Sequence, residues 1–294
     1  MAVPLEHFRF CDKLVGMRGA DLKPSLRNRY KAQWEIAQGA TSVQSLPTRL
    51  QLAKSNICNF KCVYCIDHRQ GNQIPRTRLE GGAWEDLQKL IPTSEEIAFH
   101  GISEFFIDPD FFDLVRRAGE AGATLSLNTN GSICTPRHLE TLESYPAPIW
   151  IGFSLDAATP ETFQRVRGQD FWAVLRNIKR YIGCFASRRD RTVICLSFVV
   201  CKSNVSEMLP FVYLAKSLGA DTLTIFRLHE YQGLDWEVQV KSGGLFNYRD
   251  EYVGKIREQY NRELERARVA AEILGIPAKL PASLPGETPA EVVR

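Results

Sequence analysis

The 294-residue chain lacks any uninterrupted apolar run of the roughly eighteen residues that crossing a bilayer requires. Its first residues, MAVPLEHFRFCDKLVGMRG, lack the basic start and apolar centre of a secretory signal. The expectation is a cytoplasmic protein without a membrane span. Thiols stay reduced there, so its eight cysteines read as metal-binding or catalytic groups rather than disulfides. Strong charge is also missing: a net charge of +3 gives no reason to expect a nucleic acid as partner. No solenoid-type repeat is visible. Five cysteines (Cys11, Cys134, Cys184, Cys195 and Cys201) are scattered without a C-x2-C pair among them, and none follows Cys201.

What is present is enough apolar content, 44%, to bury a sizeable core. Short apolar runs at 48–53, 96–101, 123–128, 149–154, 193–200 and 222–228 predict six strands. Amphipathic stretches at 82–91, 110–121, 136–144, 170–186 and 204–218 predict helices between them; the last opens on an Asn or Ser cap and closes on Gly219. Alternation of this kind indicates parallel βαβ units. A doubly wound open sheet and a partial barrel both fit, and both place chemistry at the C-terminal ends of strands. The expected fold is α/β: a partial (β/α)6 TIM-like barrel of parallel strands over 47–232. A helical lead-in precedes it over 1–46. A long charged helix at 249–273 and a loose Pro-rich tail make up 233–294.

The polar motifs fall at the strand ends, and the first holds Cys58, Cys62 and Cys65 in C-x3-C-x2-C spacing. Thiolates bind zinc or iron–sulfur clusters. A closed zinc site needs four ligands, so three cysteines would have to recruit a distant fourth. A four-iron cluster takes one ligand per iron, so three thiolates leave one iron open to a non-protein ligand.

The spacing and the aromatic Tyr64 resemble the C-x3-C-x-aromatic-C signature of the radical S-adenosylmethionine (radical SAM) superfamily, and the likeness extends over about residues 48–228. It implies a [4Fe-4S] cluster on the three cysteines and S-adenosyl-L-methionine (SAM) chelated to the open iron. One electron then cleaves SAM to methionine and a 5′-deoxyadenosyl radical, which abstracts hydrogen from a substrate carbon. "FHGISEFFIDPDF" resembles the family's G-G-E-P motif, with Ser103 at the second glycine and Glu104 at the glutamate that would hold the SAM amino group. This chain has Ile102–Ser103 for Gly–Gly and Phe105 for Pro. "LNTNG" matches the third strand, with Asn130 in the turn that faces the cofactor. "GFSLDAATPETFQRVRG" resembles the fourth-strand motif: Ser154 would face the ribose hydroxyls, Asp156 would bond ribose or orient its neighbours, and Arg167 would reach the SAM carboxylate. Tyr64 would border the adenine pocket.

A substrate should fill the open side of the barrel. Its candidate contacts are His100 and the polar, aromatic stretch "RLHEYQGLDW", with Arg227, His229, Glu230, Tyr231 and Trp236. The substrate expected is a peptide or protein side chain, with a small metabolite (sugar, nucleoside or lipid precursor) as the alternative. The electron donor expected is a flavodoxin or ferredoxin. The C-terminal helix looks like the linker that precedes an auxiliary-cluster domain in peptide-maturing relatives, so the chain is either short by nature or cut before that domain. The rival reading is a non-enzymatic zinc-stabilised scaffold.

Overall fold

A computed structural model describes residues 22–66, 75–231, 236–240 and 243–285. The expectations for residues 1–21 and for the tail beyond 285 lie outside the described residues. Seven parallel strands form one sheet: β1 (Arg49–Leu52), β2 (Glu96–Phe99), β3 (Thr124–Thr129), β4 (Ile149–Ser154), β5 (Thr192–Val200), β6 (Thr222–Arg227) and β9 (Ala278–Lys279), in that spatial order. The order never reverses, so the sheet has no switch point and is not doubly wound. Right-handed crossovers in one direction put the helices on one side and curl the sheet into a partial barrel. β1 and β9 share no ladder, so the barrel is not closed.

The strand count is corrected from six to seven. Leu223 and Thr224 pair with Ala278 and Lys279, and the Pro277 carbonyl accepts from Leu223 N at 3.0 Å and Thr222 Oγ1 at 2.8 Å. A two-residue strand behind a proline carries no readable alternation. The next residues are also held, against the expectation of a loose end: Asn261 exchanges two 2.9 Å hydrogen bonds with Leu284.

The helices are α1 (Pro24–Ala37), α2 (Gly81–Gln88), α3 (Phe111–Ala121), α4 (Pro136–Glu143), α5 (Pro160–Arg167), α6 (Phe171–Cys184), α7 (Met208–Leu218) and α8 (Arg257–Ile273). α4 and α5 begin with proline in the first turn behind a threonine whose hydroxyl accepts a backbone N–H. Two expectations are corrected here. Asn204 does not cap α7: its amide donates to the carbonyls of Asp156 and Val199, both at 2.9 Å. The charged helix starts at 257 instead of 249, because Glu251 turns inward to accept from Ser203 N and Oγ, each at 2.7 Å, and two 3-10 turns replace the first helical turns. Among the described residues no helix is long and apolar enough to cross a membrane.

Strand parity divides the sheet. Ile97, Phe99, Leu125, Leu127, Ile151, Phe153, Leu196 and Phe198 are buried beneath the helices. The opposite rows carry Ser126, Gly152, Ser154, Ser197 and Thr224, a concave wall of small polar groups. β7 (Glu237–Gln239) and β8 (Leu245–Asn247) form a separate antiparallel hairpin.

His138 on α4 is buried, with Nε2 3.0 Å from the Phe106 carbonyl and Nδ1 2.6 Å from Thr135 Oγ1. The neutral ring satisfies both: Nε2–H donates to the carbonyl and Nδ1 accepts the hydroxyl. Burial holds its pKa below the ordinary 6.5. The folded state therefore binds fewer protons than the unfolded one, so stability from this group is complete above pH 6.5 and is lost as pH falls through the lowered value. Thermal unfolding should show a lower Tm at pH 5 than at pH 7.5, and His138→Gln should flatten that dependence.

Candidate active site

The loop after β1 carries Cys58, Cys62 and Cys65 and makes no ladder of its own, so its backbone is held from outside. Glu104 N donates to Ile57 O at 3.0 Å, Val63 N to Val166 O at 3.1 Å, and Trp236 Nε1 to Val63 O at 3.2 Å. Phe60 anchors the loop in the core. Cys62 is buried; Cys58 and Cys65 are half-buried. Burial pushes the Cys58 thiol up to about 11 and raises Cys62 as well, with Arg167 pulling Cys62 the other way. Among the described residues no three His, Cys, Asp or Glu side chains form a group that could hold a single metal ion. A zinc ion would need such convergence. A four-iron cluster does not, since each thiolate caps its own iron.

Glu104 lies under this loop, 2% exposed. Its carboxylate accepts from Thr129 Oγ1 at 2.9 Å, Phe106 N at 3.1 Å and Asn130 N at 2.7 Å, while burial raises its pKa. Asn130 ties the turn after β3 to the cysteine loop: its amide donates to Asn59 Oδ1 at 2.9 Å and lies 3.8 Å from Cys58 Sγ. Ser103 is half-buried, beyond Gly101, where a Cβ would meet that of Ala53 at 2.7 Å. That close approach of the β1 and β2 ends requires glycine at the position just before the altered motif.

Asp156 follows β4 in a left-handed conformation, φ 60°, and is fully buried. Its Oδ1 accepts from Val199 N at 2.6 Å; its Oδ2 accepts from the Tyr64 hydroxyl and pairs with Arg167 Nη2. With no exposed surface and both oxygens bonded within the protein, Asp156 orients Tyr64 and Arg167, and direct ribose contact is set aside. Arg167 ends α5, where Gly168 caps the helix at φ 69°. Its Nη1 donates to Cys62 Sγ at 3.3 Å. Its Nε is buried without a hydrogen-bond partner. An orphaned buried donor of this kind costs about 1–3 kcal/mol, which an incoming carboxylate would remove. The residues present therefore fit a thiolate-held cluster with a carboxylate-bearing ligand beside it.

Ser154 stands on the concave wall, its hydroxyl accepting from Ser197 Oγ at 3.3 Å. His100 reaches the same wall, with Nε2 3.1 Å from Ser126 Oγ, and burial lowers its pKa. Residues unnoticed in the sequence share this face. A Cβ on Gly152 would strike Asn128 Oδ1 at 2.5 Å and the Trp150 ring at 2.6 Å, so glycine lets both lie against the strand. Phe226, 48% exposed, follows Thr224 on the same row. The signal was the parity of "IWIGFS", with Trp150, Gly152 and Ser154 opposite the apolar set.

The stretch after β6 is not one wall. Arg227 is corrected: it falls on the helix-facing row with Leu223 and Ile225, near Tyr260 of α8. His229 and Glu230 are exposed, and Tyr231 packs edge-on against His229 at 4.4 Å. Trp236 is corrected as well. It is buried, stacked on Tyr248 at 3.7 Å, and braces the cysteine loop through Val63. Trp236→Phe keeps the stack but removes the N–H, and should lower stability by about 1 kcal/mol. Chemical denaturation under reducing conditions measures this.

Residues 52–193 match the model of the Radical SAM superfamily. The chain is 25% identical over 186 residues to a probable GTP 3′,8-cyclase of Saccharolobus islandicus, covering 61% of this chain and 56% of that protein. It is 27% identical over 174 residues to an AdoMet-dependent heme synthase of Methanosarcina barkeri, covering 58% and 48%. The chain thus spans about half the length of these curated relatives. In structure it resembles Streptococcus suis SuiB bound to the precursor peptide SuiA, with a TM-score of 0.61 at 15% identity over 86% of this chain and 52% of that one. The partial barrel, the three-cysteine loop and the match together identify residues 52–193 as a domain of the radical SAM superfamily, whose cofactors are a [4Fe-4S] cluster and SAM.

Proposed function

We propose that the chain performs SAM-dependent hydrogen abstraction on an organic substrate seated against the concave wall of the barrel. The observation that carries this reading is the convergence at one sheet end of the cysteine loop, Glu104 and Arg167 with its unpartnered Nε. Cys58, Cys62 and Cys65 would hold the cluster. Glu104 Oε2, with one protein donor, has room for the SAM amino group; Arg167 Nε faces no other claimant for the carboxylate; Ser154 offers a hydroxyl to the ribose. When bound, reduced cluster and SAM supply a 5′-deoxyadenosyl radical, which takes a hydrogen atom from a substrate carbon. The chain's own work is to position these groups and to exclude water. A one-electron donor of flavodoxin or ferredoxin type is proposed to reduce it.

For the substrate we propose a peptide or protein side chain. Among the described strand residues, the cations on the concave rows are Arg49, paired with Glu96 at 3.0 Å, and Lys279 on the edge strand. Such a wall suits an uncharged group better than a triphosphate. The structural likeness to SuiB with its precursor peptide agrees. The curated relatives, a GTP cyclase and a heme synthase, favour a small metabolite as the second reading.

Protein purified without oxygen should be brown and contain iron and sulfide; colourless protein containing zinc would support the scaffold instead. With a substrate in hand, His229→Ala on the exposed rim should lose product formation while still cleaving SAM slowly. Full retention of product formation would take His229 out of the substrate site.

A further inference from the structure

Resting on the reading of the three cysteines as cluster ligands, we propose that Arg167, aimed by Asp156, sets the reduction potential of the cluster through the sulfur of Cys62. The sulfurs of Cys58 and Cys62 are unequal. Cys58 has a neutral amide donor at 3.8 Å and a backbone N–H at 3.4 Å. Cys62, the most buried, has a guanidinium donating at 3.3 Å. Burial removes the water that would screen that charge, so it acts at close to full strength on whatever the sulfur ligates. Reduction adds a negative charge to a cluster. A positive donor at a ligating sulfur stabilises the reduced form and raises the potential.

Asp156 opposes and directs this effect. Its carboxylate offsets part of the positive charge and fixes the fork so that Nη1, and not Nη2, faces the sulfur. Asp156 is itself fixed by Val199 N and Tyr64 on a backbone that side chains other than Asn and Asp rarely adopt. Helix α5, β4 and β5 thus meet on one sulfur through two buried charges.

The test is a redox titration of the cluster by electron paramagnetic resonance, without SAM, on the anaerobically reconstituted chain and its Arg167→Gln, Arg167→Lys and Asp156→Asn variants. Arg167→Gln should shift the midpoint to lower potential, Asp156→Asn to higher potential, and Arg167→Lys should lie between Gln and the parent. A purely structural role would lower iron and sulfide content in all variants without opposite shifts. Shifts of one sign, or none in variants that keep the cluster, overturn the proposal. If Arg167→Gln loses its cluster, Asp156→Asn decides: an unchanged or lowered midpoint overturns it. If Asp156→Asn loses its cluster, Arg167→Gln and Arg167→Lys decide: an unchanged or raised midpoint in Arg167→Gln, or a lower one in Arg167→Lys than in Arg167→Gln, overturns it. Loss of the cluster from every variant that changes the charge, with Lys retaining an unshifted one, also overturns it. A parent chain that takes up no iron and sulfide overturns the cluster reading itself, a result distinct from all of these.

Discussion

Cys62→Ala should leave the chain without a stable cluster and reduce methionine release from SAM with dithionite to background. Each thiolate caps one iron, so removing Cys62 opens a second corner of a cluster that needs only one open for its cofactor. Cys62 is also the sulfur that Arg167 addresses, and its loss leaves a buried guanidinium facing a methyl group. Iron and sulfide per chain should fall with the visible absorbance, while folding changes little: a buried truncation of this size costs about 1–2 kcal/mol. Cys195→Ala is the control. Cys195 is equally buried, but its sulfur neighbours Thr224 on the strand wall, so that variant should keep its colour and its SAM cleavage. Equal methionine release from Cys62→Ala and the parent would remove the cluster as the source of the electron.

The largest stability effect is expected at Arg188, 2% exposed. Its Nη1 donates to the carbonyls of Leu142 at 2.7 Å, Glu143 at 2.9 Å and Tyr145 at 2.7 Å, and its Nη2 to Ala147 at 2.7 Å. These carbonyls are the C-terminal end of α4 and the link into β4. A cation there also meets the negative end of the helix dipole. Arg188→Met removes the side-chain donor from all four carbonyls; Leu142 O keeps the Tyr145 N–H at 3.3 Å, and at about 1 kcal/mol for each of the other three, stability should fall by about 3 kcal/mol. Tm should drop by roughly 6–12 °C for a domain of this size. Because β4 leads to Ser154 and Asp156, cluster retention on heating should fall with it. A loss under about 1 kcal/mol would mean that water replaces the guanidinium at these carbonyls.

Much of this was legible because it is local. Strand parity, helix caps and cysteine spacing are each written within a few residues, and "TRLQLA" or "IWIGFS" reads directly as a strand. What escaped depends on partners far along the chain. Arg188 sits among charged residues in "SRRDR" and reads as surface, yet four carbonyls more than forty residues upstream draw it inside. Trp236 stood in a polar loop and read as a substrate contact, but its indole bonds a carbonyl 173 residues away. β9 was too short to show a period and exists because β6 offers an open edge.

By itself the sequence determined the kind of chemistry: three thiols at fixed spacing, the order of strands and helices, and the acidic and basic residues at strand ends. Tertiary structure alone decided which of those residues face one another. Of the two roles the sequence left open for Asp156, ribose contact or orienting its neighbours, it favoured the second by burying the anion against Arg167, and it turned Arg167 toward a sulfur. The reason is physical. Spacing along a chain governs contacts within a turn or a loop, whereas the pairing of two buried charges requires the desolvation that only a closed core supplies.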